Sequence, residues 1–141
     1  MKTIFSQLLA VVFIAAILAT ISWAVAPKPT PTRSEDPYAM SIDAIEKTYP
    51  HALWIDARST EAFYKAHIPD AILLNEDEWE TLLPGFLAKY SPGQPLIVYC
   101  DSQLCDASKQ VAKRLRTEIG LDNVHTLEGG WQAWVRREAT R

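Results

Sequence analysis

Cys100 and Cys105 are the only two cysteines in the chain, five positions apart. Cys100 directly follows the apolar run Leu96-Ile97-Val98-Tyr99, and Asp101, Ser102, Gln103, Leu104, Cys105 and Asp106 lead from it to a helical pattern opening at Ala107. A cysteine between a strand and a helix meets inward-pointing loop amides and the positive end of the helix dipole, and both favour an anion over a neutral thiol. An enlarged thiolate fraction is therefore expected at Cys100, and the thiolate is the form that attacks another sulfur. Ser102 and Gln103 are side-chain donor candidates, and the backbone amides are the more general ones. The competing reading is a small core residue closing a strand. Cys105 also reads two ways: as a small residue packed at a helix start, or as a second thiol that attacks sulfur held on Cys100. The second role requires the two Cα atoms to come within about 7 Å.

Such a junction needs a sheet behind it. Leu53-Trp54-Ile55, Ala71-Ile72-Leu73-Leu74, Leu96 to Tyr99 and Val124-His125-Thr126-Leu127 are short apolar runs bounded by polar or turn residues, and they read as strands. Helical stretches lie between them. Ser41 caps one through Lys47, and Ser59 caps one through about Lys65. Glu78 to Leu83 is helical until Pro84 breaks it, with a further turn over Phe86 to Tyr90. Ala107 to Ile119 carries Val111, Leu115 and Ile119 on one face and stops at Gly120, a C-cap residue. Gly129-Gly130 opens a last helix with Trp131 and Trp134 on neighbouring turns. Alternating strands and helices predict an α/β fold, a mostly parallel sheet of about five strands covered on both faces. Leu96 to Tyr99, apolar throughout, reads as its central strand, and sites in such sheets lie beyond the carboxyl ends of the strands.

Three segments in this order resemble the rhodanese family over nearly the whole region from 37 to 141. Ile55-Asp56-Ala57-Arg58, followed by Ala66-His67-Ile68-Pro69-Asp70-Ala71, is similar to the family's first signature. Val98-Tyr99-Cys100 is similar to the opening of its active-site loop, and Gly129-Gly130-Trp131-Gln132-Ala133-Trp134 to its closing motif. The resemblance implies a rhodanese-like fold, and it implies that Cys100 becomes a persulfide while sulfane sulfur passes from a donor (thiosulfate, a polysulfide or a protein persulfide) to a thiol acceptor. It also implies a tying role for Asp56 and Arg58, with substrate contact by Arg58 as the alternative, and a pocket-rim position for Trp131; His67, a lone histidine at a turn, reads as a hydrogen-bonded structural residue and Trp134 as core. The chain departs from the family pattern at Cys105, where arginine is common, at Asp106, and at Asp70, where glycine is usual. Asp70 predicts an altered turn. Loss of the arginine, with Asp101 and Asp106 nearby, predicts weaker binding of an anionic donor: charges a few ångströms apart shift energies by about 1–4 kcal/mol.

Three functions fit these residues: a sulfurtransferase acting through Cys100, a thiol-redox protein using Cys100 and Cys105 as a pair, and a non-catalytic binding module of the same fold. Two cysteines are too few for a disulfide framework or a structural zinc site, and no motif implies a metal or an organic cofactor. The formal net charge of −3 gives no electrostatic case for nucleic acid.

The 141-residue chain divides into a tail (1–3), an apolar segment (4–26), a proline-rich linker (27–36) and the domain (37–141). Residues 4–26 carry no charge and are long enough to cross a bilayer core of about 30 Å at about 1.5 Å per residue. Trp23 suits an interfacial position. A cleaved secretory signal is the alternative, with Ala24-Val25-Ala26 as the cut. The run exceeds the usual apolar length of about 7–15 residues and Pro27 follows the cut, so a retained single-pass anchor is expected. Pro27, Pro29 and Pro31 predict an extended, semi-rigid stalk. The lysines and arginines flanking the segment barely discriminate orientation. The short tail favours an extracytoplasmic domain.

Overall fold

A computed structural model describes residues 36–102 and 105–141. The expected anchor (4–26), nearly all of the linker, and Gln103 and Leu104 lie outside them. Among the described residues no helix is long and apolar enough to cross a membrane.

Five parallel strands form one sheet: β1 (Ala39–Met40), β2 (Leu53–Asp56), β3 (Ile72–Leu73), β4 (Leu96–Tyr99) and β5 (Val124–Leu127), in the order β1-β5-β4-β2-β3. The central position expected for the Leu96–Tyr99 strand is observed. β4 pairs Asp56 opposite Tyr99 on one side and Val98 opposite Thr126 on the other, and all four of its residues are buried. Its side chains alternate between two cores. Leu96 and Val98 join Ile55, Trp79, Phe86, Val111 and Leu115 on one face. Ile97 and Tyr99 join Ile45, Ile68 and Leu127, with Trp54, Trp131 and Trp134 against them, on the other. Each face needs its own cover of helices because a parallel sheet of this composition leaves neither face for water.

The helices supply that cover. α1 (Ile42–Thr48) and α2 (Thr60–Lys65) begin at Ser41 and Ser59, whose hydroxyls accept the N–H groups of Ala44 and Ala62. α3 (Trp79–Leu87) runs through Pro84 rather than ending there. Trp79 and Phe86, two turns apart, are both fully packed into the first core, and that burial holds the helix across the hydrogen bond that proline lacks. α4 (Ala107–Thr117) follows the cysteine loop, and Gly120 just beyond it takes φ +77°, the left-handed geometry of a helix C-cap. α5 (Gly130–Glu138) leaves the Gly129-Gly130 turn.

The turn at Asp70 keeps a glycine-like form. The Ala71 N–H bonds the Ile68 carbonyl at 3.0 Å, Pro69 takes the second position and Asp70 the third at φ +62°. That is the pattern of a type II turn, which normally selects glycine at its third position. The expected alteration appears as backbone strain on one residue, with the turn itself retained.

Candidate active site

Cys100 lies at the carboxyl end of β4 and is 1% exposed. Its Sγ sits 3.4 Å from the Ser102 carbonyl oxygen and 3.3 Å from that of Cys105, either of which can accept the S–H. The Ser108 hydroxyl donates to the same sulfur at 3.4 Å, and the Ser108 backbone amide adds a second donor from the first turn of α4. The Cys105 side chain also touches it, and neither cysteine is in a disulfide.

This environment corrects the expectation of an enlarged thiolate fraction. Burial, followed by the contact with Cys105, pushes the Cys100 thiol up to about 11, against the opposing Ser108 donors. At the helix start only the Ser108 hydroxyl and amide oppose the rise. The described part of the loop, however, turns two carbonyl oxygens toward the sulfur, and carbonyl dipoles oppose an anion.

Beside the loop, Asp56 and Arg58 form a fully enclosed pair. Arg58 Nε and Nη2 donate to the two Asp56 oxygens at 3.0 and 2.7 Å, and Nη2 also reaches the Ala66 carbonyl at 2.6 Å. Burial works against the Arg58 charge, but the hydrogen bonds and charge of Asp56 outweigh it and the guanidinium pKa is raised. Tyr99 completes the arrangement. Its hydroxyl donates to Asp56 Oδ2 at 2.7 Å and accepts the Ile68 N–H at 3.2 Å. Burial and the Asp56 contact raise the phenol's pKa, so it remains a donor.

Arg58 is more than a structural tie. Its Nη1 faces Asp101 Oδ1 at 3.6 Å, and its guanidinium carbon lies 4.6 Å from the centre of the Trp131 ring. Arg58, Lys65, Asp101, Trp131 and Gln132 line an open pocket of about 320 Å³ next to the loop. Trp131 is one of the residues lining this pocket. Gly129 and Gly130 have φ +78° and +54°, and Trp131 N–H bonds the Cys100 carbonyl at 2.7 Å. A Cβ on Gly130 would come within 3.1 Å of Ser102 N and closer still to the Cys100 carbonyl oxygen.

His67 is held apart from this chemistry: its Nδ1 pairs with the Phe63 carbonyl at 2.8 Å and its ring stacks on Phe63. Trp134 packs edge-on to Trp54 in the second core. Asp106 pairs with Lys109 at the surface. Sequence reasoning missed Ser108 and Tyr99. A hydroxyl one residue into the helix after the loop was a visible signal for Ser108. Tyr99 had none, because its partner Asp56 is 43 residues away.

A family model described as Rhodanese-like domain matches residues 41–137. The thiosulfate sulfurtransferase GlpE of Shewanella oneidensis is 32% identical over 85 residues, which cover 60% of this chain and 77% of that one. A protein of the same name from Pseudomonas savastanoi is 29% identical over 83 residues, 59% of this chain and 72% of that one. Among solved structures, a Bacillus halodurans protein superposes with a TM-score of 0.58 at 25% identity, over 72% of this chain and 73% of that one. A rhodanese-related protein from Thermoplasma volcanium gives 0.54 at 18%, over 70% and 91%. With a parallel five-strand sheet, a cysteine at the end of its middle strand and a family match across 41–137, the chain belongs to the rhodanese-like domain family.

Proposed function

We propose that the chain is a membrane-tethered sulfurtransferase that carries sulfane sulfur as a persulfide on Cys100. The observation that carries this reading is the position of Cys100 at the end of the central strand, enclosed by Ser108 and the Gly129-Gly130-Trp131 turn. The names of the Shewanella and Pseudomonas relatives support the same chemistry. Ionised Cys100 attacks the outer sulfur of a donor and forms an S–S bond. The donor's former partner, sulfite in the case of thiosulfate, leaves with the bonding pair. A thiol acceptor then attacks the outer sulfur and returns Cys100 to its thiol form.

The charges around the loop favour a singly charged donor, a protein persulfide or a hydropolysulfide, over the dianion thiosulfate. Asp101 is exposed at the pocket, and among the described residues its ion-pair partner is the Nη1 of Arg58, at 3.6 Å. Asp106 is already paired with Lys109. Residues 4–26 serve as a single-pass anchor and 27–36 as a stalk, an assignment supported by the uncharged composition of the first and the prolines of the second; the domain lies outside the cytoplasm in this reading.

Transfer from polysulfide to a small thiol, measured with the full chain in detergent, tests the chemistry. Cys100→Ser abolishes transfer on this account, and undiminished transfer by that variant would exclude it. Alkaline extraction of membranes tests the anchor: the chain stays in the pellet, whereas a soluble product beginning near Pro27 would mark a cleaved signal.

A further inference from the structure

The sulfur of Cys100 is surrounded in an unusual way for an atom that must carry a second sulfur. Two carbonyl oxygens, of Ser102 and Cys105, lie within 3.4 Å of it. One hydroxyl, from Ser108, opposes them. A persulfide formed there is a stronger acid than the thiol it replaces, so the group carries negative charge against those carbonyls. The chain's other thiol is on Cys105, which is only partly buried and whose own carbonyl oxygen lies 3.3 Å from the Cys100 sulfur. The Cys105 N–H bonds the Ser102 carbonyl at 3.2 Å, so the Cys105 backbone lies beside the residues that follow the strand end. A small cavity of about 10 Å³ is lined by Ser102, Cys105, Ser108 and Lys109 among others.

We infer that Cys105 resolves the persulfide carried by Cys100, releasing hydrosulfide and leaving a Cys100–Cys105 disulfide, so that the chain reduces sulfane sulfur as well as carrying it. The inference rests on the carrier reading of Cys100. Cys105 loses its proton and its sulfur attacks Cys100 Sγ. The bond from Cys100 to the outer sulfur breaks, and that sulfur departs with the electron pair as hydrosulfide. The sulfane sulfur is the oxidant, gaining two electrons, and the two thiols supply them. With thiosulfate as donor, one thiosulfate and two thiols give one disulfide, one sulfite, one hydrosulfide and one proton. The step replaces an anion facing two carbonyl oxygens by a neutral disulfide. An external dithiol restores the reduced pair by exchange.

The full chain in detergent, reduced and freed of reductant under anaerobic conditions, is mixed with one equivalent of a thiosulfonate, whose single charge makes it a better match to the loop than thiosulfate. Hydrosulfide, free thiols and intact mass are then followed. The expected result is one hydrosulfide per chain, loss of both thiols, and a final mass lower by two hydrogens. Cys105→Ser and Cys105→Ala keep the added sulfur instead. A wild-type chain that holds its added sulfur as long as these variants do overturns the inference and leaves the carrier reading standing. Failure of both variants to gain sulfur overturns the two together.

Discussion

The backbone N–H of Trp131 donates to the carbonyl oxygen of Cys100 at 2.7 Å, so the last helix starts on the peptide of the candidate nucleophile itself. The Gln132 N–H adds a bond to the Asp101 carbonyl at 3.3 Å. These contacts exist because Gly130 has no side chain to hold the two segments apart.

Gly130→Ala therefore damages both the fold and the loop. The added carbon overlaps the Cys100 carbonyl, and φ +54° disfavours any L-residue, so the variant loses at least about 2 kcal/mol of stability. Thermal unfolding checks this, and sulfur loading of the folded fraction should fall as well.

The pH dependence of Cys100 follows from its burial. Burial, the larger cause of the raised thiol pKa, persists in the Cys105→Ser background, so the Cys100 alkylation rate there should keep climbing by about tenfold per pH unit through the ordinary cysteine value without levelling at it. The folded state favours the protonated thiol. Its stabilising contribution is complete below the unfolded value near 9 and is lost as pH rises from there to about 11. Comparing the stability of wild type and Cys100→Ala across that window isolates the effect.

Asp56 and Arg58 present a different test. Their side chains are 0% and 4% exposed, so removing the carboxylate in Asp56→Ala leaves a buried guanidinium without its main partner and costs about 3–5 kcal/mol. Tyr99→Phe removes one donor to the same carboxylate and the acceptor of the Ile68 N–H, and should cost less, about 1–3 kcal/mol. Denaturant titrations that ranked the two the other way would contradict this account of the buried network.

How far these features could be read from the sequence varies by element. β4 and its neighbours were legible because continuous apolar runs announce strands buried on both faces. β1 was not: Ala39–Met40 is two residues long and owes its strand geometry to pairing with Thr126 and Leu127. Pro84 misled because local propensity ended a helix that the burial of Trp79 and Phe86 continues. The position of Cys100 was legible, but its electrostatics were not, since the direction in which the Ser102 and Cys105 carbonyls point leaves no mark in the sequence.

Asp70→Gly should stabilise the protein. It relieves a φ of +62° in an exposed type II turn, and after the extra chain entropy of glycine a gain of about 0.5–1 kcal/mol remains. Thermal unfolding would register a small rise, with sulfur transfer unchanged.

The most direct test of the central claim is to locate the transferred sulfur by intact and peptide mass spectrometry. The full-length Cys105→Ser chain is loaded with polysulfide and compared with Cys100→Ser. The account predicts one added sulfur on the peptide containing Cys100 in the first variant and none in the second. An unmodified Cys100 in the first variant, or equal loading of both, would contradict it.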